Sequence, residues 1–195
     1  MSAATPAQPS AVLVRHAETE WTISGRHTGR TDLPLTDRGR EAARALAPLL
    51  AGRELELVLV SPSLRARETC ELCGLGDRAR VCEDLLEWDY GDYEGLTSAE
   101  VRERRPDWDL WRDGCPGGES PADVGARADR VIAQLRGVTH AALFSHGHLL
   151  RVLGARWIEL EPAGGAHLGL STGAVCELGH EHGTPILAGW NRTAS

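Results

Sequence analysis

Two histidines in this chain stand where chemistry collects in α/β proteins. The first closes the run Ala11-Val-Leu-Val-Arg-His16, the second the run Ala141-Ala-Leu-Phe-Ser-His146. Each run reads as a short strand that turns polar abruptly, and a strand apolar along its whole length is one covered on both faces of a parallel sheet. Reacting groups in open α/β sheets gather just beyond the carboxyl ends of such strands. His16 and His146 are therefore expected at one sheet edge, with Arg15 beside the first. An imidazole offers an unprotonated nitrogen near neutral pH, and an arginine offers a fixed positive charge with directed donors. Together they make a place for a nucleophile and an anion.

A further cation and a carboxyl fit the same edge. Ser61-Pro62 reads as an N-cap followed by proline in the first turn, the start of a helix that carries Arg65 and Arg67 in its first turns. Cations avoid a helix N-terminus because of the macrodipole, so an arginine there is better explained by an anion lying between it and the helix amides. Phe, Tyr and Trp make up only 5% of the chain, yet Trp88, Tyr90 and Tyr93 fall together in Leu85–Gly95. A carboxyl held in such an apolar wall is pushed toward the protonated form that a general acid needs. Glu87, nearest the preceding strand end, is the candidate. With Trp108 and Trp111, the rings could present flat walls to a sugar or another ring, or pack into the core.

The elements that must position these groups follow from patterning. Thr36 caps a helix in which Ala42, Ala43, Leu46, Leu49 and Leu50 share a face, ended by Gly52. Leu55 to Val60 and Ala79 to Cys82 read as further strands. Thr97-x-x-Glu100 is a capping box for a short helix that stops before Pro106. Trp108 to Glu119 forms a glycine-rich pocket wall or lid. Ser120-Pro-Ala-Asp123 opens a helix with Val124, Ala128, Val131, Ile132 and Leu135 along one stripe, and Leu149 to Ile158 continues as an apolar helix behind His146. Gly173–Leu178 and Pro185–Trp190 are two closing strands, with His180 and His182 in the loop between them. Thr19 to Leu35 is a long polar loop beside His16. Strands alternating with helices predict a three-layer α/β/α sandwich around a mostly parallel sheet.

Composition bounds the rest. At 195 residues, 42% hydrophobic and 25% charged, the chain makes one globular domain. That domain is assigned to residues 11–195, and the small polar residues 1–10 to a disordered tail. A net charge of −7 argues against nucleic-acid partners, which need a basic face. No stretch approaches the roughly 18 apolar residues of a membrane span, so a cytoplasmic location is expected. Five cysteines without a signal peptide imply reduced thiols, with Cys70 and Cys73 as core residues on a helix. No metal ligands at recognised spacing and no cofactor motif are found.

The run Leu13-Val-Arg-His-Ala-Glu-Thr-Glu-Trp21 resembles the signature of the histidine phosphatase superfamily, with its phosphoglycerate mutase-like fold. The resemblance continues through Thr28-Gly29, Asp32-Leu-Pro-Leu-Thr36, Ser61-Pro-Ser-Leu-Arg-Ala-Arg-Glu-Thr69, Glu87 and Ser145-His-Gly-His148, in family order from Ala11 to Ile158. Glu87-Trp-Asp-Tyr-Gly-Asp-Tyr-Glu-Gly95 and Trp111-Arg-Asp-Gly-Cys115 are most similar to a branch of acid phosphatases and sugar bisphosphatases such as sedoheptulose-1,7-bisphosphatase. The resemblance implies that His16 attacks phosphorus and that Arg15, Arg65 and His146 surround the phosphoryl oxygens. Glu87 would protonate the leaving oxygen. Thr22, Thr28, Gly29 and Gly147 would contribute to the substrate pocket. Two positions depart from the pattern: Ala17 replaces the usual glycine and Thr22 the usual asparagine. Ala17 is tolerable where the backbone avoids positive φ.

The implied function is metal-independent hydrolysis of a small phosphorylated metabolite, a sugar phosphate foremost, through a phosphohistidine. One alternative is a 2,3-bisphosphoglycerate-dependent phosphoglycerate mutase, against which the short region between Gly95 and Ser120 counts. The other is a non-catalytic phosphate-binding module, against which all five key residues count. Oligomeric state is not readable.

Overall fold

The computed structural model describes residues 8–194. Its centre is a six-stranded sheet: β1 (Ser10–Arg15), β2 (Leu57–Val60), β3 (Ala79–Val81), β4 (His140–Ser145), β5 (Val175–Glu181) and β6 (Thr184–Arg192), in the order β3-β2-β4-β1-β5-β6. The first four strands in that order run parallel, and β5 and β6 join as an antiparallel pair at the β1 side. The predicted architecture is the observed one.

Alternation along β1 shows how the layers form. Val12 and Val14 pack with Leu46 and Leu50 of helix α2 (Asp37–Leu50) and Ala66 and Cys70 of α3 (Leu64–Leu72). Ala11 and Leu13 face the other way, into a core shared by Val124, Ala128 and Val131 of α6 (Pro121–Gln134) and Leu149, Leu150 and Leu153 of α7 (Gly147–Trp157). Both faces of the central strands are thus covered, which is why their sequences are apolar without alternation. All five cysteines are free and buried. Burial holds the thiols of Cys70 and Cys73 up at about 12.

Four boundaries differ from expectation. The segment after His16 is not one loop: Thr19 caps a short helix, α1 (Glu20–Ser24), through a reciprocal bond with Thr22. The helix after β2 begins at Leu64, because Ser61 turns its hydroxyl elsewhere and Asp32 Oδ1 accepts the Leu64 N–H at 2.7 Å. β5 extends through His180, whose Nδ1 meets the Pro9 carbonyl at 3.1 Å and whose ring packs on Trp157. Ser10, assigned to the tail, already belongs to β1 and bonds the Thr139 carbonyl at 3.0 Å. Residues 1–7 of that tail lie outside the described residues.

Capping boxes at Thr97 and Ser120 start α4 (Ser98–Arg104) and α6 as read, and Asp109 caps the single turn α5 (Leu110–Asp113). No described helix is long and apolar enough to cross a membrane.

Candidate active site

Parallel pairing sets Arg15 beside Ser145, so the next residues, His16 and His146, leave the sheet together. Their ring centroids lie 5.2 Å apart. Arg15, His16, Thr22, Thr28, Glu87 and Gly147 line a cavity of about 210 Å³ at this edge. Arg65, His146 and Gly29 are buried and are not among its lining residues.

His16 is 4% exposed, and its Nδ1 lies 2.8 Å from the carbonyl oxygen of Ala17. A carbonyl only accepts, so Nδ1 carries the ring proton and Nε2 keeps its lone pair. Burial, then the charges of Arg65 and Arg15, push the imidazole well below the ordinary 6.5. The ring is held neutral with a known tautomer. The Ala17 that replaces the family's glycine is not among the residues with positive φ, and its own N–H bonds Thr69 Oγ1 at 3.1 Å.

Arg15 spends Nη1 on the Leu170 carbonyl at 2.5 Å, while its Nε is buried without a partner among the described residues. Gly147 makes room for it. A Cβ at that position would stand 3.1 Å from Arg15 Cζ and 3.2 Å from Nε.

Arg65 is fully buried in the first turn of α3. It donates through Nη1 to Thr31 O (3.0 Å), through Nη2 to Thr28 O (2.9 Å) and Gly29 O (3.2 Å), and through Nε to His146 Nδ1 (3.2 Å). A guanidinium cannot accept, so the His146 proton sits on Nε2, which donates to Ser61 Oγ at 2.8 Å. Burial and Arg65 also push His146 well below 6.5. In this arrangement both nitrogens of His146 are already engaged. The resemblance places these two groups around the anion; in the structure both are fully buried, and Arg65 acts on both imidazoles by charge.

Glu87 is 5% exposed, but what surrounds its carboxylate is donors and not the expected ring wall. Oε1 accepts the N–H groups of Trp88 and Leu149 at 2.9 Å each, and Oε2 accepts that of His148 at 3.0 Å. The carboxylate thus occupies the N-terminus of α7, where orphan amides and the helix dipole favour an anion. Oε2 takes only one of these bonds and retains an acceptor position for a proton.

Of the aromatic cluster only Tyr90 reaches the cavity. Trp88 is fully buried, its Nε1 on Glu119 O at 2.9 Å, and Trp108 bonds Gly114 O at 2.9 Å, so these rings are core. Thr22 lines the cavity, but its hydroxyl is committed to Thr19, accepting its N–H at 2.9 Å and donating to its carbonyl at 2.8 Å. Gly29 is a packing requirement: a Cβ there would come within 2.6 Å of Trp88 O.

Several further residues line the cavity, Tyr90, His148 and Arg151 among them, the last two without a role read from sequence. Tyr90 Oη and His148 Nδ1 lie 2.6 Å apart; burial raises the phenol and lowers the imidazole, so both are neutral. Arg151 packs over Trp111 at 4.4 Å. Its spacing was the missed signal: it lies one helical turn beyond Gly147 and His148, on the face that looks into the cavity. Among the described residues, no three His, Cys, Asp or Glu side chains gather as metal ligands.

Fold and site together define an α/β protein with an unprotonated histidine facing an arginine-lined cavity. Comparison with known proteins agrees. The profile of the histidine phosphatase superfamily, branch 1, matches residues 11–193. An acid phosphatase of Mycobacterium tuberculosis is 42% identical over 182 residues, 91% of this chain and 89% of that one. A sedoheptulose 1,7-bisphosphatase of Saccharomyces cerevisiae is 36% identical over 185 residues, 78% of this chain and 68% of that one. A 2,3-bisphosphoglycerate-dependent phosphoglycerate mutase of Azorhizobium caulinodans is 36% identical over 182 residues, 84% and 88% of the two chains. A solved structure of a Mycobacterium tuberculosis open reading frame superposes with a TM-score of 0.90 at 40% identity, over 96% of this chain and 99% of that one. The chain belongs to the histidine phosphatase superfamily, and it is an enzyme of the phosphoric monoester hydrolase class.

Proposed function

We propose that this protein is a metal-independent phosphomonoesterase that hydrolyses a small phosphorylated metabolite, a sugar phosphate foremost, in the cytoplasm. The observation that carries the proposal is the fixed tautomer of His16, whose Nε2 lone pair is free while Nδ1 is tied to Ala17 O.

In the first step the Nε2 lone pair forms a bond to phosphorus as the ester P–O bond breaks. The electrons of that bond go to the leaving oxygen, which takes the Glu87 proton. In the second step a water attacks phosphorus and gives a proton to the Glu87 carboxylate. The N–P bond then breaks, phosphate departs, and both side chains return to their starting states. Arg15, with its buried Nε unpartnered among the described residues, meets the charge that develops on the phosphoryl oxygens in the cavity. Arg65 contributes from behind by keeping His16 neutral. The arginines thereby supply the positive charge that a magnesium ion supplies in other phosphoryl-transfer enzymes.

The cavity volume of about 210 Å³ fits a phosphoryl group on a small carrier. A relative named as a sugar bisphosphatase supports a sugar. The mutase among the relatives makes isomerisation the second reading, on the same catalytic residues. The test is phosphate release from sugar phosphates, phosphoglycerates and nucleotides in EDTA, with His16→Ala as control. Release that vanishes in the variant supports hydrolysis. Interconversion of phosphoglycerates on adding bisphosphoglycerate, without release, would replace it by mutase activity.

A further inference from the structure

Outside the cavity, one largely buried ion pair has every side-chain polar atom committed, and its side-chain contacts converge on the segment that carries Glu87. Arg127 lies on α6, 8% exposed, and its guanidinium has five donors. Nε and Nη2 meet Glu119 Oε1 and Oε2 at 2.7 Å each, a bidentate pair. Nη1 donates to the carbonyls of Asp84 (2.9 Å) and Leu86 (2.7 Å), and Nη2 to that of Glu87 itself (3.3 Å). No donor is left over.

Glu119 completes the bracket from the other side of the same segment. Its Oε2 accepts the Asp89 N–H at 2.8 Å, its N–H bonds Asp89 O at 2.9 Å, and its carbonyl accepts Trp88 Nε1 at 2.9 Å. Residues 84, 86, 87, 88 and 89 are therefore all tied to one pair. Neither Arg127 nor Glu119 lines the cavity. A buried pair of this kind is weak evidence for stability, because desolvation offsets much of the attraction. What the geometry does provide is direction: carbonyls are fixed on both flanks of Glu87, and its side chain reaches the amides of His148 and Leu149.

We propose that Arg127 and Glu119 are positioning residues that aim the Glu87 carboxyl at the leaving oxygen. The inference rests on the reading of Glu87 as the proton donor, and the experiment separates the two. The readout is kcat/KM, which reports phosphoryl transfer to the enzyme, for two esters: an alkyl phosphate, whose alkoxide needs a proton to leave, and p-nitrophenyl phosphate, whose nitrophenolate does not. Glu87→Gln, Arg127→Met and Glu119→Gln are compared with the parent protein. Glu119→Gln keeps the volume of the side chain and so serves where Arg127→Met folds poorly.

The expected result is that all three variants lose more on the alkyl ester than on the aryl ester. For the two positioning variants the alkyl loss should approach about 10²-fold, the scale on which misplacing a reacting group by an ångström is felt. Equal losses on both esters in Arg127→Met and Glu119→Gln, alongside an unequal loss in Glu87→Gln, would overturn the positioning role and leave the acid in place. Equal losses in Glu87→Gln as well would overturn the acid reading on which it stands.

Discussion

The bond from His16 Nδ1 to the carbonyl of Ala17, its own neighbour in the chain, decides which nitrogen of the ring can attack. It needs no distant partner, only a backbone turn at the end of β1. With Arg15 and Arg65 beside it, the same ring is kept from protonating. Nucleophile, tautomer and charge state follow from four residues, Arg15, His16 and Ala17 at the end of β1 and Arg65 at the start of α3.

That charge state has a consequence for stability. His16, His146 and His148 are all pushed well below the ordinary histidine value of 6.5 by burial. Below about pH 6.5 the unfolded chain binds protons on these rings while the folded chain does not, so the unfolding free energy falls as pH falls. The slope contributed by three such groups approaches about 4 kcal/mol per pH unit. Thermal unfolding followed from pH 7.5 to 5.5 should show a steadily decreasing midpoint. A midpoint that stays level or rises would show that the three rings protonate in the folded protein.

Glu87→Gln should lower kcat for alkyl phosphates by about 10²- to 10⁴-fold, the range of general acid catalysis, with KM little changed. Its amide also places a donor among the N–H groups of Trp88, His148 and Leu149. A stability loss of about 1–3 kcal/mol should accompany the kinetic one. Steady-state kinetics and denaturant unfolding on one preparation check both, and an unchanged kcat would remove Glu87 from the chemistry.

Gly147→Ala places a methyl 3.1 Å from Arg15 Cζ. The arginine must retreat from the anion, and kcat/KM should drop by about tenfold or more. Inhibition by inorganic phosphate should weaken in step. If kinetics and phosphate inhibition both match the parent, Arg15 does not contact the anion from its present position.

Ser61→Ala removes the acceptor for His146 Nε2–H and leaves a buried donor without a partner. A loss of about 1–3 kcal/mol of stability follows from that desolvated group. Chemical denaturation measures it, and a neutral substitution would mean that His146 finds another partner.

Much of this was legible in the chain. The polar ends of β1 and β4, the capping residues Thr36, Thr97 and Ser120, and the alternation of strands and helices gave architecture and the main chemical groups, because strand burial and helix caps are local signals. What escaped was settled by distance. Ser61 looked like a helix cap, but Asp32, 32 residues before Leu64, bonds that helix start and leaves Ser61 to His146. Trp88 and Trp108 could wall the pocket or fill the core; burial is decided by what packs on a ring, and here that is core. The short helix α1 was hidden in a polar run because its capping box uses Thr22 where a glutamate or glutamine is the usual sign. The Arg127–Glu119 bracket joins carbonyls 30 or more residues earlier in the sequence, and no periodicity reports such a contact.

The most direct test of the central claim is to trap the enzyme in turnover. The protein, in EDTA, is mixed with an aryl phosphate carrying radioactive phosphorus, quenched within milliseconds in alkali, and mapped by peptide sequencing. The account predicts label on His16 that survives alkali, is released by acid and is absent from His16→Asn. Phosphate release that proceeds with no label on His16, or with label on a hydroxyl side chain, would contradict it.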